Sequence, residues 1–302
     1  MRIPRLLLPA TITFAALNLP LIASAERTHQ GLWWASPAGS ESGWGLNITH
    51  QGNTLFATWF TYDTDGSPMW LVMPDGMRQT DYYEGSYGGM MNYYNSTYEG
   101  VLYRTTGPAF NAATFNPAAV GVVPVGMARL MFDDMAAPSF TYSVNGVTQT
   151  KTLTRQVYAN PVPECDSVAS ATAAPNYQDL WWRSPAGSES GWGVNIAHQG
   201  NTLFATWFTY AADGKGTWYV MSNGERGANG AYTGALYRTR GPAFSANPWR
   251  PTEVSVTPVG SGTLTFSDAS NGVFAYTVDG VTQSKPITRQ VYSGPVSTCG
   301  FR

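Results

Sequence analysis

Ser42-Gly43-Trp44-Gly45-Leu46-Asn47-Ile48-Thr49-His50-Gln51-Gly52-Asn53-Thr54-Leu55-Phe56-Ala57-Thr58-Trp59-Phe60-Thr61-Tyr62 is the stretch from which the fold can be read. Trp44, Leu46 and Ile48 alternate with Gly45, Asn47 and Thr49, and Leu55, Ala57 and Trp59 alternate with Phe56, Thr58 and Phe60. A period of two belongs to a strand, whose successive side chains point to opposite faces. Gln51-Gly52-Asn53 supplies the turn between the two runs. The pattern predicts a hairpin in a sheet with one buried face.

The same stretch occurs twice. Trp33-Trp34 through Met73 returns as Trp181-Trp182 through Met221, 148 residues later, with His50 to Tyr62 unchanged as His198 to Tyr210. Gly100 to Cys165 returns as Gly234 to Cys299 at an offset of 134, so the first copy holds 14 extra residues between Met73 and Gly100. Self-similarity at this spacing predicts two tandem copies of one domain. The boundaries are a repeat at 26–165 with a Tyr/Gly-rich insertion at about 78–97, a linker at 166–177 and a repeat at 178–302. The linker rests on the Ser/Ala/Thr-rich run Ser167 to Ala174.

Working outward, alternating runs near 32–35, 43–50, 53–62, 68–74, 98–104, 120–132, 139–145 and 147–158 predict about eight strands per repeat. Asp65-Gly66 and Asn145-Gly146, which become Asp213-Gly214 and Asp279-Gly280, are hairpin turns. The fold class is therefore all-β: two tandem antiparallel up-and-down barrels or compact sandwiches, the barrel favoured because closure removes exposed edges.

At the amino terminus, Arg2 and Arg5 precede the apolar run Leu6 to Ile22, and Ala23-Ser24-Ala25 provides small residues for cleavage. Residues 1–25 are expected to be a secretory signal peptide. Loss of the two arginines takes the formal net charge from −2 to about −4, so no basic excess steers the chain toward nucleic acid. No later stretch is apolar enough to span a bilayer as a helix. Charged residues are 12% of the chain and aromatics 14%, which directs attention to the aromatics.

The Trp-Trp, Ser-Gly-Trp-Gly-x-Asn-Ile and Phe-Ala-Thr-Trp-Phe-Thr-Tyr strings resemble a repeat of secreted bacterial proteins. That resemblance covers nearly all of the mature chain, implies export, and brings no activity with it. Gly31-x-Trp33 on the first strand and Arg155 on the last are similar to the signature of the calycins, the lipocalin and avidin barrels, in which such a tryptophan packs against the arginine. Trp181 and Arg289 repeat the pair, with Asp179 in place of the glycine. The resemblance implies a barrel.

Trp34, Trp44, Trp59, Trp70 and Tyr103, with Trp182, Trp192, Trp207, Trp218 and Tyr237, are the candidate ligand-binding residues, because flat apolar faces stack on sugar rings. Core packing is the competing role. One member of each Trp-Trp pair must face out of its strand. Polar candidates are Glu41, His50 and Arg104, with Glu189, His198 and Arg238. The bland roles are a carboxylate capping loop amides, a hairpin-end histidine bonded to backbone, and an arginine on loop carbonyls. Glu41 occupies the centre of Gly39-Ser40-Glu41-Ser42-Gly43 where a serine-hydrolase elbow needs serine. Asp63, the obvious second carboxylate for a glycosidase, is Ala211 in the other repeat. No catalytic set, cofactor or metal site is expected.

Cys165 and Cys299 fall at equivalent places and are expected to bridge the two tails, with intermolecular pairing as the rival. Three functions remain, in this order: a secreted non-catalytic module binding a polysaccharide or other surface ligand, a structural or adhesive repeat of the cell envelope, and a hydrolase or lyase using Glu41 with His50 or Tyr62. Oligomeric state is not fixed by the sequence.

Overall fold

The computed structural model describes residues 28–79, 95–133, 136–166 and 175–301. The expected signal peptide, the body of the Tyr-rich insertion and the Ser167–Ala174 linker lie outside the described residues.

Repeat 1 forms β1 (Gly31–Ala35), β2 (Gly45–Gln51), β3 (Thr54–Tyr62), β4 (Pro68–Gln79), β5 (Asn95–Thr106), β6 (Gly121–Asp133), β7 (Ser139–Val144) and β8 (Val147–Arg155). Each strand pairs antiparallel with the next, and β8 returns to β1, with Trp33 opposite Arg155, to close a barrel. A short β9 (Glu164–Asp166) follows. Repeat 2 forms β10 (Asp179–Arg183), β11 (Gly193–Gln199), β12 (Thr202–Tyr210), β13 (Gly216–Arg226), β14 (Tyr232–Arg240), β15 (Ser255–Phe266), β16 (Asn271–Val278) and β17 (Val281–Arg289), a second closed barrel, and then β18 (Thr298–Gly300). Closure rules out the sandwich alternative. Among the described residues no helix is long and apolar enough to cross a membrane.

The barrels are filled. Trp59 lies among Phe140, Tyr142 and Phe244 with centroid distances of 5.2, 4.3 and 6.2 Å, and Trp207 lies correspondingly among Phe274, Tyr276 and Phe110 at 5.4, 4.3 and 5.5 Å. At the opposite end His29 stacks on Phe132 at 3.8 Å, and its equivalent Tyr177 stacks on Phe266 at 3.7 Å. Over the first strand, Arg155 sits 5.1 Å above the Trp33 ring and Arg289 sits 5.3 Å above Trp181.

The expectation of one buried face is corrected here: both faces of β2 and β3 are largely buried, as are those of β11 and β12. The inner face fills its own barrel and the outer face packs against the other barrel. Asn47 donates from Nδ2 to Thr206 Oγ1 at 3.3 Å, and Phe60 meets Phe208 at 6.3 Å.

Reciprocal bonds show that the two barrels are related by a pseudo-two-fold axis. Trp70 donates its indole N–H to Thr209 O and Trp218 donates to Thr61 O, both at 3.1 Å. The loop after β5 crosses to barrel 2, where Phe110 N–H bonds Tyr210 O at 2.9 Å; the loop after β14 crosses to barrel 1, where Phe244 N–H bonds Tyr62 O at 2.9 Å. Each loop thereby seats a phenylalanine against the other barrel's central tryptophan.

The tails cross as well. Gln199 accepts from Tyr158 N and Ala159 N at 2.9 and 3.1 Å and donates to Gln156 O at 2.8 Å. Gln51 does the same for Tyr292 N, Ser293 N and Gln290 O at 2.9, 3.0 and 2.9 Å. A Cβ on Gly52 would stand 2.3 Å from Gly294 O, and one on Gly200 would stand 2.4 Å from Asn160 O. Only glycine lets the tail lie this close to the hairpin. Beyond the clamps, β9 and β18 pair with Cys165 opposite Cys299, and the two cysteines form the intramolecular disulfide.

Candidate functional site

The alternation that builds each barrel also decides which aromatics meet solvent. Trp59 and Trp207 point inward and are core residues; Trp70 and Trp218 are held in the inter-barrel interface. Trp44 and Trp192 are buried at the start of β2 and β11, each donating Nε1 to the preceding loop's carboxylate: Trp44 to Glu41 Oε2 at 3.0 Å and Trp192 to Glu189 Oε2 at 2.9 Å. Tyr103 and Tyr237 are half-buried on β5 and β14. Of the Trp-Trp pairs, Trp33 and Trp181 are inside, whereas Trp34 and Trp182 are half-buried on the outer surface.

Trp182 lines an open cleft of about 340 Å³ between the barrels. Its walls include Phe56, Trp70, Trp192 and Phe208, with Thr105, Ser190 and Gln290 as the polar members. The repeat places Phe204, Trp218, Trp44 and Phe60 with Trp34 at the equivalent positions. An aromatic wall with a few hydroxyl and amide groups is suited to the face of a sugar ring and its rim of hydroxyls.

A second, polar cavity of about 300 Å³ opens beside Glu41. Lys151 on β8 reaches both carboxylate oxygens of Glu41, at 2.9 and 3.0 Å. In repeat 2, Lys285 bonds Glu189 Oε2 at 2.7 Å, and Arg183 Nε stands 3.4 Å from Oε1. Lys151 and Lys285 lie outside the residues that the sequence pattern marks as candidates. Their signal was a lysine repeated among the polar residues of the last strand.

His50 and His198 sit at the ends of β2 and β11 and are buried. His50 Nδ1 accepts from His29 N at 3.3 Å and His198 Nδ1 accepts from Tyr177 N at 3.1 Å, while Tyr98 and Tyr232 place hydroxyls 3.3 Å from the respective Nε2 atoms. Burial lowers His198 to a pKa of about 4. Both rings join backbone to barrel interior, and burial favours the neutral form of His198. Glu41 lies in the loop before β2 and His50 is the last residue but one of that strand, so the five steps from Gly45 to His50, about 17 Å, separate the two ends. Tyr62 lies at the Glu41 end, where its hydroxyl donates to Gly43 O at 2.6 Å and burial raises its pKa to about 12. Glu41, His50 and Tyr62 do not converge in one cleft.

Arg104 and Arg238 each have a carboxylate, taken from different loops. Arg104 pairs with Asp63, whose equivalent is Ala211; Arg238 pairs with Asp279, whose equivalent is Asn145. The two losses and gains compensate, which sequence comparison alone read only as the loss of an acid. Among the described residues no group of three or more His, Cys, Asp or Glu side chains is gathered to hold a metal ion. Comparison with protein-family models, with curated proteins and with solved structures found no match.

Proposed function

We propose that the chain is an exported, non-catalytic binding protein that holds a glycan in the aromatic cleft between its barrels. The cleft around Trp182 carries this reading: it is open, its walls combine aromatic rings with Val72, Pro117, Val120 and Val122, and its polar side chains are hydroxyls and an amide, the uncharged donors and acceptors that suit sugar hydroxyls. The filled barrel interiors support placing the ligand outside them. The disulfide between tails supports a destination in an oxidising compartment. The first-strand tryptophan under a last-strand arginine supports likening the barrels to calycins in closure, while among the described residues aromatics packed inside each barrel take the place of a calyx.

The test is retention of purified mature protein on a panel of soluble and insoluble polysaccharides, with sugar analysis of the same tubes. Wild type is expected to be retained without released sugar, and Trp182→Ala to lose about tenfold or more in affinity, since truncating an anchoring aromatic costs about 2 kcal/mol or more. Equal retention of the variant would overturn the assignment to this cleft. Released oligosaccharide would overturn the non-catalytic half of the proposal.

A second reading, a structural or adhesive repeat, is favoured by the outward valines of β6 and of its counterpart β15 in the other barrel: Val122 and Val123 are 57% and 58% exposed, and Val256 is 57% exposed. Retention on no glycan would move this reading first.

A further inference from the structure

The internal repeat offers a comparison within one chain. Ala35 and Arg183 occupy the same position, each opposite the aliphatic residue of the closing strand, Leu153 or Ile287. In barrel 2 the Arg183 side chain extends over the strand and brings its Nε 3.4 Å from Glu189 Oε1. In barrel 1 the methyl of Ala35 stops short, and the polar cavity of about 300 Å³ lies there instead, against Glu41 and Lys151. Two further lining positions differ in the same sense, while the others are kept or change only from threonine to serine. Thr152 and Asn247, which face the barrel 1 cavity, are Pro286 and Ala113 at the equivalent positions. The repeat that lacks the arginine has a hydroxyl and an amide where the other has apolar groups.

We propose that this cavity binds the guanidinium group of an arginine side chain presented by a peptide, in the position that the chain's own Arg183 takes in barrel 2. Glu41 is the anchor. Its Oε2 is occupied by the Trp44 indole, as Glu189 Oε2 is by Trp192. Lys151 straddles both oxygens, whereas Lys285 uses Oε2, leaving Oε1 to the arginine. An incoming guanidinium takes Oε1, and Lys151 retreats to the Lys285 arrangement. The occupied site then carries one carboxylate and two cations, the charge set already held in barrel 2. The Asn247 side-chain amide, which lines the cavity, supplies an acceptor for one of the remaining N–H groups, of which a guanidinium has five. Glu41 and Lys151 are only 23% and 13% exposed, so the pair is screened less than a surface pair. The cavity shares no residue with the aromatic cleft, and the proposal stands or falls separately from the glycan reading.

The test is titration of the full mature protein with N-acetyl-arginine methylamide, followed by calorimetry and by chemical shifts of the lysine ammonium groups. Three comparators accompany it: the citrulline analogue, which has the same shape without the charge, the lysine analogue, and glucosamine. The arginine derivative is expected to bind at one site per chain, at least tenfold more tightly than the citrulline analogue. Ala35→Arg, which installs the side chain that repeat 2 tolerates at this position, is expected to abolish binding, and Glu41→Gln to weaken it at least tenfold, with both variants keeping the wild-type circular dichroism. If Ala35→Arg does not fold, Glu41→Gln decides. Equal binding of citrulline and arginine, tighter binding of glucosamine, or binding unchanged in Glu41→Gln would each overturn the proposal.

Discussion

His198 has to stay neutral for the end of barrel 2 to form. Its Nδ1 accepts a backbone N–H and its ring is walled in by Tyr177, Tyr232 and Phe301, so a second ring proton would be buried among aromatics. Burial, the largest cause, lowers its pKa from 6.5 to about 4. A depressed folded-state value means that the unfolded chain binds the proton first. The stabilisation is therefore complete above pH 6.5 and drains away as pH falls toward 4, by on the order of 3 kcal/mol. His29 in repeat 1 adds in the same direction, because burial and the neighbouring His50 lower it to about 3. Unfolding temperature is expected to fall between pH 7 and pH 4.5, with a shallower fall in His198→Gln. Identical pH slopes for the two proteins would show that the ring is not held neutral. At this scale the candidate list was legible in residue type and not in role: a histidine before a Gln-Gly turn looks the same in sequence whether it faces substrate or the barrel core.

The loops after β5 and β14 are the elements that turn two barrels into one body. Strands were legible because their period of two is local: expected runs at 53–62 and 139–145 became Thr54–Tyr62 and Ser139–Val144. The expected 68–74 and 98–104 grew to Pro68–Gln79 and Asn95–Thr106, since pairing between β4 and β5 continues past the apolar residues that marked them. The loops left only the repeated tetrapeptide Gly-Pro-Ala-Phe at 107–110 and 241–244, with nothing local to say that each phenylalanine crosses to the other repeat. Phe244 covers Trp59 and Tyr142, and its carbonyl accepts from the Tyr142 hydroxyl at 2.7 Å. Phe244→Ala should therefore cost about 3–5 kcal/mol and open the end of barrel 1. The check is chemical unfolding together with binding of a fluorescent apolar dye, expected to rise in the variant. A loss under 1 kcal/mol with no dye binding would show that the loop merely lies over a barrel already closed.

At the scale of the whole molecule, the pseudo-two-fold axis gives the identical stretches His50 to Tyr62 and His198 to Tyr210 the same two-sided set of contacts. That stretch supplies the inner core, the outer face packed on the partner barrel, the glutamine clamp and the glycine beneath the crossing tail, so nearly every residue has contacts on both sides. The two repeats thus present almost the same surface to each other, and a surface that fits its own near-copy fits a true copy. Residues 175–302 expressed alone should therefore not persist as a monomer, because Phe208, Trp218 and Gln199 would lose their partners across the axis. Two such chains can rebuild the interface isologously, Trp218 of each donating to the Thr209 carbonyl of the other and each Phe244 seated against the other's Trp207. Light scattering should report a dimer, and in air the two Cys299 thiols should join where Cys165 and Cys299 join in the parent chain. Replacing Trp218 with glutamate should then yield aggregated or unfolded protein. A stable, monomeric single repeat would mean that each barrel folds without the other, and that the identity of the two stretches must be sought in ligand contacts after all.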